Sequence, residues 1–122
     1  MDIGRPKDFL GANLLTAEKN YKGHDWSKQA KDSKISGSSY LGKDTKVKDS
    51  VMDSAVVSQG CKVNDCELTN SLILSGCILD DCKIENTILG RDCRLEDCRL
   101  KDCVIADGTV LKDAVLENER GA

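Results

Sequence analysis

The chain has 122 residues, with 18 Lys and Arg against 21 Asp and Glu, a formal net charge of −3 and seven cysteines. That length makes one domain with a core that needs no staples, and the mild acidity without a basic block excludes a nucleic-acid partner. No apolar run approaches the roughly 18 residues of a membrane span and MDIGRPKDFLGAN has no signal-peptide core, so no membrane partner is expected. An odd cysteine count without a secretion signal then predicts reduced thiols in a cytoplasmic protein.

In chain order, Pro6 and the run that follows it predict a short helix, with Pro early and Phe9, Leu10, Leu14 and Ala17 near one side. Residues 1–19 make this motif-plus-helix unit, and residues 20–31, polar and with Gly23, read as a linker. The single histidine, His24, falls in that linker and reads as a solvent-exposed or capping residue.

Residues 32–117 carry an internal repeat. Cys61, Cys77 and Cys93 are sixteen apart, flanked in the same column by Thr45 and Thr109. Cys66, Cys82 and Cys98 form a second column with Ser50 and Ala114, and Ala55, Ser71, Thr87 and Cys103 a third. Two positions after each small residue stands an aliphatic one, as in Cys77-Ile78-Leu79 and Thr87-Ile88-Leu89. Side chains two apart on a strand share a face, so each triplet is a short strand with two residues inward. The residues between triplets are Asp, Asn and Gly rich, as turns require: Asp80-Asp81, Glu85-Asn86, Gly90-Arg91-Asp92. Three strands and three corners per sixteen residues predict an all-β, three-sided parallel coil of about five rungs, Ile35 to Leu116, with residues 118–122 as a tail. Four five-residue sides, as in pentapeptide repeats, would lose register at every six-residue step.

This pattern resembles the hexapeptide-repeat left-handed β-helix, whose unit is an inward aliphatic residue preceded two positions earlier by a small one. The resemblance supplies the hand. The cysteines occupy the small inward column, where free Cys behaves as a small buried hydrophobe. A zinc site needs four convergent ligands, whereas column neighbours point the same way along a line. The column Asp49, Asp65, Asp81, Asp97, Asp113 raises calcium, but a single file offers few of the six to eight oxygens required. Turn capping by Asx side chains accounts for the same residues.

The middle residue of each triplet points outward. Two outer faces are charged and mixed; the third shows Tyr40, Val56, Leu72, Ile88 and Val104 without a charge. An apolar stripe of that size needs cover. The first expectation is a second copy, giving a dimer or trimer; the others are the folded-back N-terminal segment and a separate domain.

MDIGRPKDFLGAN resembles a segment of the sugar-1-phosphate nucleotidyltransferases, in particular the mannose-1-phosphate guanylyltransferase group. In that family an Asp-Ile-Gly-x-Pro-x-Asp-Phe/Tyr-Leu stretch closes the catalytic domain, a linker follows, and a left-handed β-helix ends the chain. The resemblance implies that residues 1–19 are the end of a catalytic domain and that Asp2 helps hold magnesium together with the rest of that domain. It implies no cofactor for this chain by itself, magnesium for a full-length parent, and a catalytic nucleotidyltransferase domain as partner. The expected role is assembly, through Tyr40, Val56, Leu72, Ile88 and Val104, with no catalytic residue in this chain. The rivals are an acyltransferase acting on a sugar nucleotide, for which only His24 offers a base, and a free-standing scaffold.

Overall fold

A computed structural model describes residues 6–21 and 25–119. Helix α1 (Pro6–Tyr21) is followed by a parallel β-coil of about six turns. Side one stacks β1 (Ala30–Lys31), β4 (Lys46–Lys48), β6 (Lys62–Asn64), β8 (Ile78–Asp80), β11 (Arg94–Glu96) and β14 (Val110–Lys112). Sides two and three form the second sheet. Side two holds β2 (Lys34–Ser36), β9 (Lys83–Glu85), β12 (Arg99–Lys101) and β15 (Val115–Glu117); side three holds β3 (Tyr40–Leu41), β10 (Ile88–Leu89) and β13 (Val104–Ile105). The longer strands β5 (Val51–Val57) and β7 (Glu67–Ile73) run through both sides, joining them at one corner.

Neighbouring strands pair in the register that the period requires: Leu79 lies beside Leu95, Ile84 beside Leu100, Leu89 beside Ile105. The first rung is one residue longer, with Ile35 beside Met52 but Tyr40 beside Val56, so the extra residue sits between β2 and β3. The coil also starts earlier than the repeat shows. Ala30 pairs with Val47, inside the segment read as linker, because Gln29-Ala30-Lys31 has no small/x/aliphatic triplet. Gln29 closes this end by donating its amide to the carbonyls of Gly42 (2.7 Å) and Thr45 (3.1 Å), and Trp26 packs against the core nearby.

The corners explain the Asp, Asn and Gly columns. Asp65, Asp81 and Asp97 hold φ of 53°, 54° and 52°, Asn70 and Asn86 hold 46° and 53°, and Gly60 and Gly76 hold 70° and 77°. This left-handed region is costly for most L-residues, and short Asx side chains and glycine tolerate it best.

Inside the coil the aliphatic column is buried on all three sides, with Met52, Leu68, Ile73, Leu79, Ile84 and Leu89 at most 1 % exposed. The small column does more than fit. Ser50 Oγ donates to Lys48 O (2.8 Å) and accepts from the N–H of Cys66 (3.0 Å), one rung on. Cys66 repeats the pattern, its thiol donating to Asn64 O (3.1 Å) and accepting from Cys82 N–H (3.4 Å). Ser71 and Thr87 do the same towards Thr87 and Cys103. Each such hydroxyl or thiol satisfies a buried carbonyl in its own corner and a buried N–H in the next rung, a pairing that would be expensive to leave unmade. Cysteine is in these columns as a serine-like hydrogen-bonding group with a more apolar surface.

Candidate functional site

The uncharged outer face of side three is the feature that sets this coil apart from a plain scaffold. Val56, Leu72 and Ile88 stack on successive rungs and are only 7 %, 1 % and 2 % exposed, although their side chains point away from the coil interior. They are buried because α1 lies on them. Leu10 of the helix joins this second apolar cluster, with Leu14, Tyr40 and Leu74 half-buried at its edge. Leu10 and Leu14 are one helical turn apart, so both reach the same surface. Tyr40 also meets Trp26 edge-on, with ring centroids 5.6 Å apart, tying the linker end to the same face.

Of the three covers considered, the chain's own N-terminal segment is the one on this face. Tyr40 and Val104, at the two ends of the stripe, stay partly exposed. Leu10 and Leu14 belong to the site as much as the five stripe residues. Their helical spacing is visible in the sequence, but nothing in the repeat says where α1 docks. Asp2 and His24 lie outside the described residues.

The two metal readings have no geometry behind them. Among the described residues, no group of three His, Cys, Asp or Glu side chains is placed to hold a metal ion. All seven cysteines are free thiols and at most 3 % exposed. The thiols of Cys61 and Cys93, with burial, push Cys77 well above the free-thiol value; Cys66 does the same to Cys82, and burial alone leads for Cys98. Reactive cysteines need thiolate character and access, so these belong to the packing.

The carboxylate column lines an open groove of about 450 Å³ in which Asp65, Asp81 and Asp97 alternate with Lys83 and Arg99. The Asp81 carboxyl, hydrogen-bonded to Asp97, holds Asp97 above the usual carboxylate range, and Asp113 adds further like charge. A carboxyl raised in the folded state contributes stability at low pH that is lost as pH rises through its pKa. Asp97→Asn, which keeps a side chain suited to φ of 52°, should therefore melt higher than the parent at pH 7 and together with it at pH 3. The gain should shrink in high salt. Melting curves at both pH values check this, and a variant that melts lower at pH 7 overturns it.

Residues 57–105 match the family model described as the GLGC left-handed parallel beta-helix domain. The matched stretch runs from Val57 to Ile105, both inward aliphatic residues of side three, and so spans whole rungs. The coil is thus a left-handed parallel β-helix, as its period and the matched domain agree. No curated protein matches the chain. Among the described residues no helix is long and apolar enough to cross a membrane.

Proposed function

We propose that this chain is the β-helix module of a sugar-1-phosphate nucleotidyltransferase of the mannose-1-phosphate guanylyltransferase kind, positioning and assembling subunits without performing the transfer itself. The observation that carries this reading is the seating of α1 on the stripe Val56, Leu72, Ile88. By the resemblance of MDIGRPKDFLGAN, α1 belongs to the closing segment of a catalytic domain. A coil that holds that segment in a hydrophobic seat fixes the catalytic domain's position on the module. The match of the central rungs to the GLGC β-helix domain supports the same family.

The reaction of such an enzyme moves a nucleotidyl group from a nucleoside triphosphate to a sugar 1-phosphate and releases pyrophosphate. Magnesium in that chemistry needs several oxygen ligands and the substrate phosphates, and Asp2 by itself supplies one carboxylate. The chain incubated with magnesium, GTP and mannose 1-phosphate should release no pyrophosphate above the blank. Fusion of a guanylyltransferase catalytic domain upstream should restore release and give an assembly larger than the catalytic domain forms without the coil. Pyrophosphate from the chain alone, or a fusion no larger than the catalytic domain's own assembly, overturns the reading. Acetyl transfer from acetyl-CoA to an amino sugar would replace it with the acyltransferase alternative.

A further inference from the structure

We propose that the C-terminal rung is a self-pairing edge, on which two copies of this chain meet end to end about a two-fold axis, β14 of each lying antiparallel on β15 of the other. This rests on the reading of the coil as an assembly module and adds the surface and the partner. The two ends of the coil differ. The N-terminal end is closed by Trp26 and by the Gln29 amide, which takes the carbonyls of Gly42 and Thr45. At the other end Val110 and Val115 are 69 % and 75 % exposed, and Leu111, Ala114 and Leu116, which continue the core columns, are only half-buried. In the two outward columns leading there, the rung before carries Arg94 and Arg99, yet both columns end in valine.

The backbone at that end is also open. Arg94 N–H donates to Thr109 O and Arg99 N–H to Ala114 O, but the equivalent N–H groups of Val110 and Val115 meet no further rung among the described residues. β14 and β15 are the outermost strands of their sheets. An exposed edge with apolar side chains is a template for strand addition. A head-to-tail partner is blocked, because the opposite end is occupied by Trp26 and Gln29. Two like ends fit, since an isologous contact needs only one self-complementary patch. A two-fold axis through the corner at Lys112 to Ala114 exchanges sides one and two. It sets Leu111 opposite Leu116 of the second copy, Val110 opposite Glu117 and Lys112 opposite Val115. No like charges face each other, Lys112 lies diagonal to Asp113 of the second copy, and the apolar interior runs on through the junction.

The cross-section of one coil is small beside the roughly 800 Å² per partner of a standard interface, so dissociation in the range of about 10–100 µM is expected. The test is light scattering and sedimentation of the full chain from about 1 to 300 µM, beside Val115→Pro and the double variant Val110→Lys/Val115→Lys. Proline at Val115 removes an N–H that no rung uses, and edge strands accept it. The lysines enter columns that already hold Lys46, Lys62 and Lys83, so they keep the test valid should the proline disturb the fold. Circular dichroism confirms that each variant is folded. The chain's mass should rise from 13.3 kDa towards twice that value, while folded variants stay monomeric or associate at least about tenfold more weakly. A chain that is monomeric throughout, or folded variants that assemble as it does, overturns the proposal. Neither result touches the nucleotidyltransferase reading, which pyrophosphate release from the fused catalytic domain tests separately.

Discussion

Ile88→Lys should release α1 from the coil while leaving the coil folded. Ile88 is 2 % exposed under the helix and belongs to the outer cluster with Leu10, Val56 and Leu72, separate from the interior core. A lysine there with the helix in place would be a buried, unpaired charge, a cost of about 3–5 kcal/mol. Lifting the helix instead gives up the burial of a few apolar side chains, about 1.5–3 kcal/mol each. Once free, a helix of 16 residues is marginal in water, so it should also melt. The expected result is a loss of helical dichroism at 222 nm, faster hydrogen exchange over residues 6–21, and unchanged protection of the strands. Ile88→Leu should show none of this. Retention of the helical signal and of protection in the lysine variant would mean that α1 is not held by this face.

The second large effect is expected at Gly90. A Cβ built there falls 2.5 Å from Asp107 N and 2.8 Å from Ala106 C, backbone atoms of the next rung that cannot swing aside. Asp107 is further fixed by the bond that its carboxylate accepts from Arg91 N–H (2.7 Å). Gly90→Ala must therefore push neighbouring rungs away from each other, a cost of about 1–3 kcal/mol for overpacking. For a domain of this size that lowers Tm by about 4–15 °C. Gly60 differs. A Cβ there meets nothing within 4 Å, and the constraint is its φ of 70°. Gly60→Asn should be nearly neutral, since Asp44 and Asp92 occupy the same corner column at φ of 62° and 57°. Gly90→Asn should be at least as harmful as Gly90→Ala. Thermal melts of the three variants separate the two causes, and a Gly90→Ala variant within 1–2 °C of the parent would contradict the close approach.

These two glycines also show where the sequence stops being legible. Both stand in a corner of the period and look alike as letters. The columns distinguish them only partly, because close approach depends on the path of the next rung. The coil itself was readable because its interior repeats: one small and one aliphatic residue per side, five columns deep, leaves no other register. Even the added residue before β3 shows as a single step in the spacing. β1 did not show, since its inward residue is Ala30 and its neighbour Gln29 acts through its amide, not through a pattern. The stripe Tyr40, Val56, Leu72, Ile88, Val104 was readable as a face needing cover. Its occupant was not, because α1 lies outside the repeat and docks by shape. The cysteines were placed correctly in the interior, but their hydrogen-bonding role needs positions that only the fold supplies.

That hydrogen-bonded small column makes the coil a ruler. Every rung hands one N–H to the rung before it and repeats the same corner, so length comes in steps of about 4.8 Å, the spacing of neighbouring strands. Loss or gain of sixteen residues moves the open end nearer to or farther from the helix seat by one step and changes nothing else in the lattice of contacts. Loss of five turns every following side onto a different face. The reach from α1 to the last rung is thus a quantity that evolution can adjust in whole units, independently of what either end binds.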